Sequence, residues 1–199
     1  MIFATGNKHK LREMRELLPG VELEGLPAGV ELPPEEGGGF AEIALEKARA
    51  AHRATGEPAI ADDSGICAVG LGGRPGIHSA RYGGEGASDE ENLEKLLREV
   101  AAAGEERRAY YVCALALVEA DGAERVFEAR SDGRLLEEPR GEGGFGYDPA
   151  FVPDATGPED PRTYSEIGQA EKNEISHRAL AARELARHLS ANGAAPAER

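Results

Sequence analysis

The chain contains the stretch Ala59-Ile60-Ala61-Asp62-Asp63-Ser64-Gly65, in which an apolar run leads directly into two carboxylates. The apolar run predicts a short buried strand. Two adjacent carboxylates at the end of such a strand are tolerated mainly when a cation or a proton offsets their charge. Mg²⁺ takes oxygen ligands and leaves room for water and phosphate, so the stretch favours a metal-dependent phosphate site. The alternative is an ordinary turn, because Asp, Ser and Gly are common turn residues.

The N-terminal segment predicts a strand, a tight turn and a helix, in that order. Ile2-Phe3-Ala4 forms the strand and Thr5-Gly6-Asn7 the turn, and the apolar residues that follow recur at helical spacing. A helix N-terminus presents unpaired backbone donors and a partial positive charge, to which Lys8 and Lys10 add their own. The segment therefore favours phosphate binding, and solvated surface lysines are the alternative. It differs from the Gly-x-x-x-x-Gly-Lys loop of the common nucleotide-binding folds.

Length and composition describe a soluble globular protein. The chain has 199 residues, of which 40% are hydrophobic and 30% charged, and we expect one domain over residues 1–190 with a disordered tail at 191–199. No apolar run approaches the roughly 20 residues that a membrane-spanning helix needs, and the first residues lack a secretory pattern. The expected location is therefore cytoplasmic. Cys67 and Cys113 have no Cys-x-x-Cys spacing, so we interpret them as core residues in a reducing compartment.

The charge balance disfavours some partners. A formal net charge of −14 opposes binding to long nucleic acids, because such binding depends on clustered cations that release counterions. A single nucleotide remains compatible, since one pocket can be locally positive in an acidic protein. We therefore expect a small anionic ligand, with neither nucleic acid nor a membrane as a partner.

The remaining pattern alternates helices and strands without an internal repeat, which indicates an α/β fold with a mixed sheet. An Ala-rich segment from Phe40 to about Thr55 predicts a helix that carries Lys47. Ser88 and Glu91 have capping-box spacing at the start of another helix. Further predicted elements are a central strand from Tyr110 to Glu119, two strands at Val126-Phe127 and Leu135-Leu136 around a turn at Ser131-Asp132-Gly133, and a last helix from about Glu174 to Leu189.

Two features near the C-terminus suggest ligand contacts. The glycine-rich loop from Gly141 to Gly146 requires close backbone approach or unusual dihedral angles. A nucleotide base could stack at this loop, in and beside which Phe145, Tyr147, Asp148 and Phe151 lie, and a hydrophobic plug that pins the loop to the core is the alternative. His177 and Arg178 lie in the first turn of the last predicted helix, where a basic pair opposes the macrodipole. A ligand with acceptor oxygens would favour Arg178, and an exposed arginine paired with a nearby acidic residue is the alternative.

Short motifs in one order resemble the inosine triphosphate pyrophosphatase family. The resemblance spans nearly the whole chain, and the compatible spacing makes the set specific although each motif alone is modest. The segments that carry it are Thr5–Lys10 (TGNKHK), Ala61–Gly65 (ADDSG), Pro75–Tyr82 (PGIHSARY), Gly143–Pro149 (GGFGYDP) and Ser176–Arg178 (SHR).

This resemblance implies an α/β fold with an elongated mixed β-sheet flanked by helices, and two lobes with the active site in the cleft between them. It implies magnesium-dependent hydrolysis of nonstandard purine nucleoside triphosphates (ITP, dITP, XTP) to the monophosphate and pyrophosphate. It also implies a homodimer and removal of deaminated purines from the nucleotide pool.

Roles carry over by matching position. Asp63 would be the general base and Lys47 would contact phosphate, while Glu35, Asp63 and, more weakly, Asp62 would hold Mg²⁺. The choice of Glu35 over Glu36 depends on an ungapped register. The implied substrate-binding residues are Thr5, Gly6, Asn7, Lys8, His9, Lys10, Ser64, Phe145, Gly146, Tyr147, Asp148, Lys172, His177 and Arg178. The chain departs from the family pattern at Ile43, where an asparagine is usual, and at Gly39, where a threonine is frequent.

Other classes of protein remain open. A sister pyrophosphatase for modified pyrimidine triphosphates would use similar carboxylates. A phosphatase with an aspartyl nucleophile usually has Asp-x-Asp spacing, which the Asp62-Asp63 pair lacks. A non-catalytic nucleotide-binding protein would keep the pocket without turnover, and the presence of Asp63, Lys47 and Lys10 disfavours it. Hydrolysis needs an activated water and cations that offset phosphoryl charge, and this sequence offers candidates for both.

Overall fold

The computed structural model describes residues 1–35 and 37–191. Its strands are β1 (Ile2–Phe3), β2 (Glu24–Gly25), β3 (Ala59–Ala68), β4 (Arg108–Val118), β5 (Glu124–Leu135) and β6 (Phe151–Pro153). The α-helices of these residues are α1 (Lys8–Leu17), α2 (Phe40–Thr55), α3 (Asp89–Ala103), α4 (Gln169–Ile175) and α5 (His177–Ala191).

The strands form one mixed sheet in the order β2-β1-β3-β4-β5-β6. Strand β1 pairs parallel with both β2 and β3, whereas β5 and β6 pair antiparallel. A tight turn joins β4 to β5, in which the backbone amide of Glu119 donates to the Ala123 carbonyl at 2.8 Å. The predicted α/β fold with a mixed sheet and flanking helices is confirmed. Within residues 1–35 and 37–191, every helix is too short or too polar to cross a bilayer.

The chain divides into two compact units, and the sheet strands β3, β4 and β5 each contribute to both. The first unit comprises Met1–Asp63, Cys113–Ala129 and the segment that begins at Arg178. The second unit comprises Ser64–Val112 and Arg130–His177. Each unit has a hydrophobic core of its own.

In the first unit, helices cover both faces of the strands. Ile60 of β3 packs in one cluster with Met14 of α1 and Leu185 of α5. Its neighbour Ala61 packs in a separate cluster with Ala48 of α2. Successive side chains of a strand point to opposite faces, so α1 and α5 lie on one face of β3 and α2 lies on the other.

Local signals for two helices are confirmed. Helix α2 has the predicted bounds, Phe40–Thr55. Helix α3 begins with a complete capping box, because the Ser88 hydroxyl accepts from the Glu91 amide at 3.2 Å and the Glu91 carboxylate accepts from the Ser88 amide at 2.7 Å.

The stretch around Asp62-Asp63 is neither a strand end nor a turn. Strand β3 runs without interruption from Ala59 to Ala68, with both carboxylates in its interior. Asp62 is 2% exposed and Asp63 5% exposed. The predicted strand end and the alternative turn are both wrong, because ion pairs with side chains from distant helices offset the buried charges.

The Ser131-Asp132-Gly133 segment is not a turn either. Strand β5 continues through it from Glu124 to Leu135. A Cβ atom at Gly133 would lie 2.3 Å from the Val152 carbonyl oxygen, so the glycine permits close approach of β6 rather than a reversal of the chain.

The last predicted helix is two helices. Ser176 lies between α4 and α5 with extended backbone angles (φ −71°, ψ 152°), and serine is a favoured residue at such a helix boundary. His177 is therefore the first residue of α5. The described part of this helix extends to Ala191, and the rest of the predicted tail, 192–199, lies outside the described residues.

Candidate active site

Asp62 lies at the centre of a buried ionic network in the first unit. It occupies the face of β3 that α1 and α5 cover, since it has the same strand parity as Ile60. Lys10 of α1 bonds to Oδ1 of Asp62, and Nε of Arg178 from α5 donates to Oδ2 at 2.8 Å. The thiol of Cys113 donates to the same Oδ2 at 3.2 Å. Both oxygens of this carboxylate are therefore occupied.

Arg178 is bound on two sides within this network. Its Nη1 donates to Oε2 of Glu13 at 2.6 Å, while its Nε serves Asp62. The residue is 2% exposed. The alternative of an exposed arginine is wrong, and the guanidinium joins two carboxylates from α1 and β3.

Asp63 lies on the opposite face of β3, toward α2. Nζ of Lys47 donates to Oδ1 of Asp63 at 2.8 Å and also bonds to Oε1 of Glu35. The other oxygen, Oδ2 of Asp63, is buried and has no hydrogen-bond partner among the described residues. The Lys47 ammonium thus joins two carboxylates, and one carboxylate oxygen remains available to a ligand or a proton.

The two aspartates have opposite pKa shifts. Burial by itself would raise the pKa of Asp62, but the charges of Arg178 and Lys10 outweigh burial and hold that pKa well below its usual value. Burial raises the pKa of Asp63, and the opposing effect of Lys47 is smaller. Two carboxylates whose pKa values are pushed apart are suited to different chemical roles.

Lys47 and Cys113 keep their protons in this setting. Burial by itself lowers the pKa of Lys47, but the charges of Asp63 and Glu35 outweigh it, so the pKa is raised. Burial raises the pKa of the Cys113 thiol well above its usual value. Lys47 therefore stays a cation, and Cys113 stays a donor to Asp62.

The residues around Asp63 fit a hard divalent cation. Oδ2 of Asp63 is an orphaned buried carboxylate oxygen, and the Glu35 carboxylate shares Lys47 with it. Oxygen donors of this kind suit Mg²⁺. The oxygens of Asp62, the weaker predicted ligand, already accept from Lys10, Arg178 and Cys113. No group of three or more His, Cys, Asp or Glu side chains converges on a metal position within the described residues, and Glu36 lies outside them.

The predicted phosphate segment, Thr5 to Lys10, caps its own helix. Oδ1 of Asn7 accepts from the amides of His9 and Lys10 at 2.8 and 3.2 Å, and Oγ1 of Thr5 accepts from the Asn7 amide at 3.1 Å. These backbone donors already have partners in the protein. The side chain of Lys8 is exposed, and phosphate binding by this segment stays a prediction.

A second ionic cluster lies in the second unit. Nζ of Lys172 donates to Oδ2 of Asp148 at 2.7 Å, and both side chains are 4% exposed. The Phe145 amide donates to the same oxygen at 3.0 Å, and the Lys172 ammonium lies 5.1 Å from the Phe145 ring centroid. Gly144 allows this arrangement, because its φ is +73° and a Cβ there would lie 2.3 Å from Oδ2 of Asp148. The predicted need for glycine in the loop is confirmed.

The aromatic residues of this loop have different settings. Tyr147 is buried, and its hydroxyl donates to the Ser79 carbonyl at 2.7 Å, so Tyr147 pins the loop to the core. Phe145 is only half-buried. The Gly146 amide donates to Oδ2 of Asp89 at 2.8 Å. Because Tyr147 is buried and Phe145 is only half-buried, Phe145 remains the candidate for base stacking.

The remaining predicted residues of the second unit are Ser64 and His177. Ser64 is half-buried on β3. The His177 ring is buried and stacks on Tyr111, with ring centroids 4.5 Å apart and planes 4° apart. The structure thus brings Asp148, Lys172 and Phe145 together, with His177 linked to them through Tyr111.

The sequence pattern did not identify Glu13, Cys113 and Tyr111 as members of the two ionic clusters. Glu13 could have been found, since it lies one helical turn from Lys10 and faces the apolar stripe that holds Met14. Cys113 and Tyr111 belong to the nearly continuous apolar run of β4. Nothing in that run distinguishes a residue beside an ionic group from an ordinary core residue.

By fold and site, the chain is an α/β protein whose ionic centre consists of adjacent carboxylates and the cations that bind them. The chain belongs to the Ham1 family, whose model matches residues 1–188. The family resemblance of the motifs is confirmed by these comparisons.

Curated relatives and solved structures support the same family assignment. The dITP/XTP pyrophosphatase of Geobacillus kaustophilus is 47% identical over 190 residues, which cover 93% of this chain and 91% of that protein. The dITP/XTP pyrophosphatase of Thermus thermophilus is 45% identical over 189 residues, covering 93% and 89%. The structure of a HAM1 protein from Coxiella burnetii has a TM-score of 0.85 and 39% identity, and covers 96% of this chain and 98% of that chain. The Staphylococcus aureus Ham1 protein has a TM-score of 0.84 and 35% identity over the same shares.

Proposed function

We propose that the chain hydrolyses the nonstandard purine nucleoside triphosphates dITP, ITP and XTP to the nucleoside monophosphate and pyrophosphate. The relatives named dITP/XTP pyrophosphatase support this activity. The observation that carries the proposal is the setting of Asp63, a buried carboxylate with Lys47 on one oxygen and no hydrogen-bond partner among the described residues on the other. Such a carboxylate can accept a proton from water.

In the proposed reaction, the Asp63 carboxylate takes a proton from a water molecule whose oxygen attacks the α-phosphorus. A bond forms between that oxygen and phosphorus, and the bond from phosphorus to the bridging oxygen of the leaving pyrophosphate breaks. Lys47 supplies a fixed positive charge beside Asp63. General-base catalysis contributes about 10²- to 10⁴-fold, so positioning and electrostatic stabilisation must supply much of the remaining acceleration.

The proposal includes Mg²⁺ as the cofactor. Asp63 and Glu35 would hold the ion, which would supply charge to offset the phosphoryl oxygens and to activate water. Lys47 would remain between the two carboxylates as their protein-borne counterion. Asp62 supports the site from the opposite face of β3 through Lys10 and Arg178.

Recognition of the base falls to the cluster in the second unit. The half-buried Phe145 ring offers a stacking surface, and the Lys172 ammonium carries donors and no acceptor. A donor group matches the O6 acceptor of hypoxanthine and xanthine and meets a donor in the amino group of adenine. Unpaired buried polar groups can give 10⁴- to 10⁵-fold discrimination. We assign base reading to Phe145, Asp148 and Lys172, which lie together, and a supporting role to Arg178, which joins Asp62 and Glu13. A homodimer and a cytoplasmic location stay predictions from the sequence.

The test is product analysis on a panel of triphosphates. Purified protein is incubated with ITP, dITP, XTP, ATP and a modified pyrimidine triphosphate, with Mg²⁺ or with a chelator, and phosphate products are identified by ion chromatography. We expect monophosphate and pyrophosphate from the deaminated purines, and loss of turnover with chelator. Orthophosphate and the diphosphate as first products would contradict attack at the α-phosphorus. A preference for the pyrimidine substrate would favour the sister class, and an unchanged rate with chelator would exclude the metal.

A further inference from the structure

Tyr111 of β4 is a buried aromatic residue inside the second-unit cluster, and its hydroxyl and ring contact different members of it. The residue is 7% exposed. Its ring is parallel to the His177 imidazole, with centroids 4.5 Å apart. Phe151 contacts it edge-on at 4.9 Å, and Tyr164 is stacked at 5.9 Å. Rings on several sides thus fix the position of Tyr111 and, through it, the plane of His177.

The Tyr111 hydroxyl lies 3.3 Å from Oδ1 of Asp148. This distance is long for an O–H···O bond, and the negative charge of the acceptor strengthens it. Oδ2 of the same carboxylate accepts from Lys172 and from the Phe145 amide. Burial, and to a smaller extent the charge of Asp148, raises the pKa of Tyr111 well above its usual value, so the phenol remains a donor. Tyr111 thereby supports the Asp148 carboxylate, which in turn binds the Lys172 ammonium and the Phe145 amide.

We propose that Tyr111 is a positioning residue for base selection: from β4 it fixes the Asp148–Lys172 pair and the His177 ring, and so favours 6-oxopurine over 6-aminopurine nucleotides. This inference rests on the proposed function. Lys172 and His177 belong to α4 and the start of α5, and Asp148 follows the glycine-rich loop. Loop and helix-end groups need support from a rigid element to keep a selective geometry, and Tyr111 provides this support from the sheet.

The experiment compares two substitutions at this position. Tyr111→Phe removes only the hydroxyl, and Tyr111→Leu also removes the ring that stacks on His177. Tyr110→Phe is the matched control, because it removes a phenol from the neighbouring residue of β4 and keeps the ring, which lies against Arg130 at 3.5 Å and outside the Asp148–Lys172 cluster. For each protein, kcat and KM are measured with ITP and ATP, and thermal stabilisation is measured with inosine monophosphate and adenosine monophosphate.

We expect the preference for ITP over ATP in kcat/KM to fall about 5-fold in Tyr111→Phe, the effect of one hydrogen bond, and at least tenfold in Tyr111→Leu. The loss should be in KM for ITP, with kcat for ITP nearly unchanged. The stabilisation by inosine monophosphate should shrink in the same order. Tyr110→Phe should keep the wild-type preference.

Two results would contradict the role proposed for Tyr111 and leave the proposed function intact. If the wild type prefers ITP and both Tyr111 variants keep its preference, Tyr111 is only a core residue. The same conclusion holds if the Tyr111 substitutions lower kcat/KM for ITP and for ATP by the same factor. If Tyr111→Leu does not fold, Tyr111→Phe decides alone, since it retains the packed ring. A wild type that neither releases pyrophosphate from ITP nor binds inosine monophosphate overturns the proposed function, and this inference with it.

Discussion

Asp62 and Asp63 are consecutive residues of β3, and their side chains bind different cations on opposite faces of the sheet. Asp62 binds Lys10 and Arg178, whereas Asp63 binds Lys47. The strand alternation that separates them also separates their pKa values, with Asp62 lowered and Asp63 raised. Two cations therefore hold Asp62 as an anion, whereas burial favours the protonated form of Asp63 more than Lys47 opposes it.

Asp63→Asn should lower kcat by at least about 10²-fold, because the amide keeps the shape of the side chain but cannot act as the base. The variant should fold, because Glu35 remains as a carboxylate partner for the buried Lys47 ammonium. Asp132→Asn, an exposed residue of β5 that pairs with Arg130, is the control and should keep wild-type turnover. Steady-state pyrophosphate release and circular dichroism provide the two measurements. Near-normal turnover in Asp63→Asn would place the base elsewhere, with Asp62 and Glu35 next in line.

Lys47→Met should lower activity and shift the acid limb of the pH profile. Lys47 lowers the pKa of Asp63 against the raising effect of burial, so its removal should raise that pKa further. The acid limb of kcat/KM should consequently move to higher pH. Lys47→Arg retains a cation and should leave the limb closer to its wild-type position. An acid limb that does not move in Lys47→Met would show that Asp63 is not the group titrating in it.

Asp62→Asn should destabilise the protein in a pH-dependent way. Breaking a buried ion pair by removing one partner costs about 3–5 kcal/mol, so the free energy of unfolding should fall by that order at pH 7. The folded-state pKa of Asp62 lies below its usual 3.8, so its stabilisation is complete above that value and is lost as pH falls through the folded pKa. The difference between wild type and variant should therefore narrow as pH falls below about 4.

Urea unfolding at pH 7, 5, 4 and 3 measures this difference. Asp121→Asn, in the exposed turn after β4, is the control and should differ little from wild type at any of these pH values. A stability gap that stays constant down to pH 3 would mean that the charge of Asp62 does not stabilise the fold.

Arg178→Lys should weaken stability and should lower turnover of ITP and ATP by the same factor. Lysine keeps the charge but lacks the fork that reaches Asp62 and Glu13 together. The kcat/KM ratio for the two nucleotides, measured beside urea unfolding, checks this expectation. If the preference for ITP fell instead, the base-reading role predicted from the sequence would return to Arg178.

The sequence by itself determined the features that depend on neighbouring residues. The Ala-rich run specifies α2 between Phe40 and Thr55, and Ser88 with Glu91 specifies the start of α3. The glycines around Phe145 indicated a loop with unusual dihedral angles. The order of the motifs also indicated the family, because these signals are contained within a few residues each.

Only the tertiary structure decided how the charged residues are used. Lys10 is 52 residues from Asp62, and Arg178 is 116 residues from it. Without these partners, two buried carboxylates in mid-strand are unfavourable, so the sequence pattern alone indicated a strand end or a turn. Tyr111 likewise belongs to an apolar run, and its contact with Asp148 depends on a loop 37 residues away. Local propensity cannot register such contacts, because their free energy exists only once distant segments have packed together.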